Sequence, residues 1–148
     1  MGRGRASSFA RRRRALPILG LVLIAVAALV GPRLIEGYGA LEWTRFHARQ
    51  ATSPHGADHA RRAARAAARA LDLAAPLPWA AEAARLALQA GQALGPKNAT
   101  SAAAVYSEVR GALDRAASSP VRRFGLEDAS AQAKALDDGA RSPTERTP

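Results

Sequence analysis

The chain has 148 residues, no cysteine and a formal net charge of +10. That length leaves room for one small domain beyond a targeting or membrane segment, and the lack of thiols excludes disulfides and thiolate metal sites. Six of the 22 basic residues, Arg3, Arg5, Arg11, Arg12, Arg13 and Arg14, lie in the first 14 positions, and the 16 that remain face 12 acids. An excess of +4 over residues 15–148 is too small for the electrostatic footprint of a nucleic-acid binder, and no nucleic-acid partner is expected.

The six arginines stand directly before an unbroken apolar run from Ala15 to Gly31. Cationic flanks stay on the cytoplasmic side while the apolar segment enters the bilayer, so Arg3, Arg5, Arg11, Arg12, Arg13 and Arg14 are topology-setting residues. The ten Leu, Ile and Val residues of the run contribute roughly −3 to −6 kcal/mol on an insertion scale. Its seventeen residues reach about 25 Å, slightly short of a ~30 Å hydrocarbon core. Leu34 and Ile35 extend the helix if Arg33 snorkels to the interface. The expectation is therefore a basic cytoplasmic segment, 1–14, and a transmembrane signal-anchor helix, 15–35, that contacts membrane lipid.

Tyr38 and Trp43 then fall either in the interfacial zone that amphipathic aromatics favour or in the packing of the following domain. Cleavage as a signal peptide is the rival, because Ala25-Val26-Ala27 offers a small-x-small pattern. The run continues through Ala28-Leu29-Val30, which favours an uncleaved anchor. A twin-arginine signal at Arg13-Arg14 is a third option, with the rest of that motif missing. The two leading readings put the residues after about 33 outside the cytoplasm.

The outer part, 40–140, reads as all-α. β-branched residues are scarce, period-two alternation is absent, and alanine, with 38 copies in the chain, is the strongest helix former. Helices are expected over about 40–51, with Leu41, Thr44 and Ala48 on one side, then from Ser53-Pro54 as cap and first turn to about Ala74. After the break at Pro76-Leu77-Pro78 a third runs from about Trp79 to Leu94, with Trp79, Ala83, Leu86, Ala90 and Leu94 on one face. A fourth follows Asn98, a candidate N-cap, to about Ala117, with Val105, Val109, Leu113 and Ala116 inward. Gly91 is placed for close helix approach. A last helix carries Glu127 and Asp128 in its first turn, where acids favour the dipole, and 141–148 form a tail expected to be disordered. Short connections force consecutive helices antiparallel, giving a small bundle of helical hairpins. Large apolar side chains are few, so close Ala–Ala packing and a partner surface are needed.

Ala70-Leu71-Asp72-Leu73 before Pro76, Ala93-Leu94-Gly95-Pro96-Lys97-Asn98, and Ala112-Leu113 before Pro120 resemble the helix-to-helix junctions of tetratricopeptide-type repeats. The resemblance covers about 57–120. Its Ala-Leu pairs recur after 23 and 19 residues, where that family repeats at about 34. It implies tetratricopeptide-like hairpins that hold a peptide or partner helix in a groove.

Chemical constellations are sparse. His55 and His59, four apart around Asp58, are the nearest thing to a metal pair, but no further carboxylate cluster completes a site, and solvated histidines at a turn are the preferred reading. No nucleophile motif or phosphate loop occurs, so no enzyme activity, small-molecule substrate or cofactor is expected. The acid pairs Glu127-Asp128 and Asp137-Asp138 fit dipole effects or solvation. Asn98-Ala99-Thr100 matches a glycosylation acceptor, with helix capping preferred. Arg61, Arg62, Arg65 and Arg69 form a stripe, with Asp58 expected to pair Arg62 and Asp72 to pair Arg69. The stripe is either a solvated face or a contact for an anionic surface. Two functions stay open. The first is a single-pass inner-membrane protein acting as an adaptor or assembly subunit for an envelope protein, and the second a secreted, processed basic protein that binds an anionic surface.

Overall fold

The computed structural model describes residues 6–75, 77–119 and 125–142, with side chains from Ile18 onward. Of the six topology-setting arginines, Arg3 and Arg5 lie outside the described residues. Arg11, Arg12, Arg13 and Arg14 belong to a helical backbone, but their side chains lie outside the described part. Pro76, Pro120 and the tail beyond Ser142 lie outside it as well. Five α-helices account for most of the chain: α1 (Ala6–Arg49), α2 (Gly56–Ala74), α3 (Pro78–Ala93), α4 (Ala99–Ala117) and α5 (Glu127–Arg141). The fold is an all-α bundle, as the composition requires. The chain divides into two units, Met1–Arg33 and Leu34–Pro148.

In the first unit every large apolar side chain from Ile18 to Val30 is exposed. The helix that carries them is long and apolar enough to cross a membrane or to serve as a signal sequence. The stretch over 40–51 is not a separate helix as expected, because α1 continues to Arg49. Gly37 and Gly39 each weaken a helix by about 1 kcal/mol, and burial of Ala40, Leu41 and Thr44 against the bundle offsets that loss.

A 3-10 turn, Gln50–Thr52, ends α1. Ser53 does not cap α2 as expected: it is extended, and its carbonyl accepts from the Gly56 N–H at 2.8 Å. His55 occupies the N-cap without a side-chain bond. Gly56 is required here, since a Cβ would lie 1.9 Å from the Ala51 carbonyl oxygen. At the next junction Pro78 takes the first helical turn, where its missing N–H leaves no intrahelical bond unmade. Asn98 precedes α4 as predicted, but its side chain makes no N-terminal cap; its Nδ2 donates back to the Leu94 carbonyl at 3.4 Å.

Pair contacts define the topology. Arg61 meets Ser101 near the starts of α2 and α4, and Asp72 meets Arg115 near their ends, so these two helices run in parallel. Glu36 pairs with Arg69 and His47 with His59, so α1 from Leu34 onward runs antiparallel to α2. α2 lies at the centre, burying Ala60, Ala63, Ala64, Ala67, Ala70, Leu71 and Ala74. α4 contributes Val105, Val109 and Leu113 as predicted. In α3 the fully buried leucine is Leu88, while Leu86 and Trp79 are only partly buried. Ala83, Ala90 and Leu94 of the expected face are buried, and the inward side also takes in Leu88, because alanines on both sides of this helix leave its apolar stripe undefined. Gly91 performs its predicted role, since a Cβ there would approach Tyr106 Cε1 to 2.6 Å.

Asp137 corrects the sequence reading of paired, solvated acids. Its side chain is buried and bridges Arg110 Nη1 at 2.9 Å and Arg141 Nη2 at 2.8 Å, joining α4 to α5. Asp138 stays exposed and shares the Arg110 guanidinium at 2.9 Å. Asp137→Asn weakens the charge-assisted bonds to both guanidinium groups, so it is expected to lower the urea midpoint of unfolding, with Asp138→Asn changing it far less.

Candidate interaction surface

α1 presents two opposite faces beyond Arg33. Leu41, Thr44 and His47 turn into the bundle, where Thr44 Oγ1 donates to the Ala40 carbonyl at 2.9 Å. Ile35, Trp43 and Phe46 turn away and are 76%, 60% and 52% exposed. The outer rings order one another. Trp43 stacks on His47 with centroids 5.2 Å apart and an interplanar angle of 20°, and meets the Phe46 edge at 6.0 Å. Gly39, Glu42, Trp43 and Phe46 line a shallow apolar surface that is largely open to solvent. Tyr38 lies at the border, half-exposed, its ring edge-on to Trp79 at 5.7 Å. The buried Trp79 indole N–H finds no acceptor among the described residues.

The four stripe arginines are all exposed, but they do not act as one uniform patch. Arg69 is bound to Glu36, and Arg61 Nη2 donates to Ser101 Oγ at 3.1 Å. The expected pairs Asp58–Arg62 and Asp72–Arg69 are absent among the described residues; Asp72 faces Arg115 instead, at 3.7 Å. Within the stripe, only Arg62 and Arg65 lack both an ion pair and a side-chain hydrogen bond among the described residues. A helical stripe predicted from spacing of four is thus half consumed by neighbouring helices, which spacing alone does not reveal.

The histidines are arranged differently from the predicted His55–His59 pair. His55 is exposed at the start of α2, whereas His47 Nδ1 and His59 Nδ1 lie 2.9 Å apart, a hydrogen bond that needs one ring nitrogen to donate and the other to accept. No group of three metal-ligating side chains occurs among the described residues. Burial, and then the charges of His59 and Arg62, push the His47 imidazole below its ordinary value of 6.5.

A second concavity, of about 420 Å³, lies between α1 and α3. Arg45, bridging Glu42 and Glu82, stands at its rim, with Arg49 beside it and Leu86 and Ala90 below.

Sequence reasoning does not single out Gly39 and Phe46. Their signal is present as the spacing Ile35, Gly39, Glu42, Phe46, alternating four and three, but a run so close to the apolar segment reads as linker and interface. The His47–His59 contact bridges two helices and has no local signature.

Protein-family models, curated proteins and solved structures all give no match to this chain.

A base whose folded pKa is lowered binds its proton more readily in the unfolded chain. Stability from His47 is therefore complete above about pH 6.5 and declines as pH falls below it, until the folded imidazole also protonates. Thermal unfolding should move to lower temperature between pH 7.5 and 5.5 (about two units bracketing the free-histidine value), and His47→Gln should flatten that dependence.

Proposed function

We propose that this chain is a single-pass membrane protein whose helical domain works as an interaction adaptor or assembly subunit in the bacterial envelope. In this reading the basic segment 1–14 remains cytoplasmic, 15–35 cross the inner membrane, and 40–140 stand outside the cytoplasm. One observation carries it: among the described residues, every exposed large apolar side chain belongs to α1. Helices α2 to α5 bury or half-bury theirs and face water with Arg, Glu, Asp, Gln and Ala, as a soluble domain does. Exposed apolar surface concentrated on one element marks a membrane or protein contact. From Ile18 to Val30 that surface is aliphatic, the chemistry of a bilayer core. At Trp43 and Phe46 it is aromatic and rigid, the chemistry of protein hot spots.

Tetratricopeptide-like use of the hairpins over 57–120 belongs to the same proposal, as does a scaffolding role without substrate or cofactor. The arginine stripe supports it less, since Arg61 and Arg69 are already engaged within the domain. Cell fractionation tests the anchor. The full-length chain is expected to pellet with membranes and to resist both carbonate and high salt. Release of a species shorter by about 27 residues would instead support the cleaved, secreted reading.

A further inference from the structure

His47 is a titratable ring that the bundle both buries and ties to a second helix. It is 6% exposed, near the end of α1, and its Nδ1 lies 2.9 Å from the Nδ1 of His59 on α2. The two ring centres are 5.2 Å apart. Since each nitrogen stands one ring radius from its own centre, these separations put both centres and both nitrogens close to one line. The imidazoles are therefore aimed head-on. A metal ion bound by both in a bent geometry would turn the nitrogens toward a common third point. Head-on aim is the arrangement of a single N–H···N bond, in which one Nδ1 carries the proton and the other accepts it.

Such a bond has one requirement, that at least one Nδ1 be unprotonated. A neutral pair meets it, and so does a singly charged one. Two imidazolium rings do not, because both nitrogens are then donors and the like charges repel. The surroundings add to that repulsion. The charges that act on His47 are those of a protonated His59 and of Arg62, both on α2 and both positive; α3, α4 and α5 contribute none. Asp58, next to His59 in the sequence, is exposed and forms no ion pair with either ring among the described residues. We infer that the His47–His59 pair is an acid-operated latch: when both rings become imidazolium, the end of α1 over 45–49 comes away from α2 while the rest of the bundle stays closed.

The neighbouring contacts set how far the opening runs. Before the latch, Leu41 and Thr44 are buried. After it, Ala51 is buried and lies so close to Gly56 that no Cβ fits between them. Between these two points the other polar tie to a neighbouring helix is the exposed bridge from Arg45 to Glu82, a kind of contact that holds little. Trp43 stacks on the His47 ring and Phe46 meets it edge-on, so its departure unpacks both. Once outside, an imidazolium in the last turn of α1 faces the negative end of the helix dipole, which favours the released form. The closed form binds fewer protons than the released one, so falling pH drives the opening.

The latch does not depend on the anchor proposed above, and it is read in the full-length chain in detergent micelles. Amide hydrogen exchange, corrected for the intrinsic effect of pH, is followed by mass spectrometry from about pH 7.5 to about pH 5.0. A release that takes up one proton grows by up to about tenfold per pH unit. Protection over 45–49 is therefore expected to fall by about tenfold or more across that range, while α4 and α5 keep theirs. His59→Gln supplies an amide oxygen that accepts from a protonated His47, and it is expected to remove most of that fall. Trp79→Phe leaves Trp43 as the sole indole; its emission should change over the same pH range and hold steady once His59→Gln is added. Protection over 45–49 that ignores pH, a loss shared equally by α4 and α5, an undiminished response in His59→Gln, or Trp43 emission indifferent to pH would overturn the latch.

Discussion

The bundle depends on one constraint: α2 must be narrow enough for three other helices to touch it. Ala60, Ala63, Ala64, Ala67, Ala70 and Ala74 provide that. A methyl-wide surface lets backbones approach closely and trades large side-chain burial for many short dispersion contacts. The same economy recurs at Gly37 against Ala74, at Gly91 against Tyr106 and at Gly56 against the Ala51 carbonyl. Such a core contains few large side chains, with Leu41, Leu71, Leu88, Leu113, Leu126, Val105 and Val109 among those fully buried. It tolerates little added volume, because close-packed neighbours have no void to yield.

Charge then sets register around this core. Arg45–Glu82, Arg69–Glu36, Arg85–Asp128 and Arg115–Asp72 each join two helices at the surface. Exposed bridges of this kind contribute little to stability individually, and alanine faces alone would permit helices to slide. Asp137 is different in kind. A buried carboxylate between two guanidinium groups is intolerant of misplacement, and it fixes α5 on α4 beside the buried Ala129 and Ala133.

α1 carries both the exposed apolar run and a side of the bundle's core. Its inner face beyond Arg33 completes the bundle through Leu41, Thr44 and His47. Its outer face leaves Trp43 and Phe46 in solvent, ordered by His47, which is itself tied to His59. The aromatic surface is therefore held by the core and not merely attached to it. A domain with so thin an apolar interior gains from any contact that removes these rings from water.

Some of this could be read directly from residues, and the physical reason is locality. The apolar run after the arginines, the scarcity of β-branched residues beyond it, and the proline and glycine punctuation act over a few positions, so the all-α class and the inward face of α4 follow from order alone. Where alanine fills every side of a helix, periodicity carries no direction, and only packing chose Leu88 over Leu86 in α3. Contacts between helices distant in sequence were equally invisible: Arg61 with Ser101, Asp72 with Arg115, His47 with His59, Asp137 with Arg110. The open side of Gly39 belongs to that second group, because a glycine reveals whether it faces the inside or the outside only once its neighbours are in place.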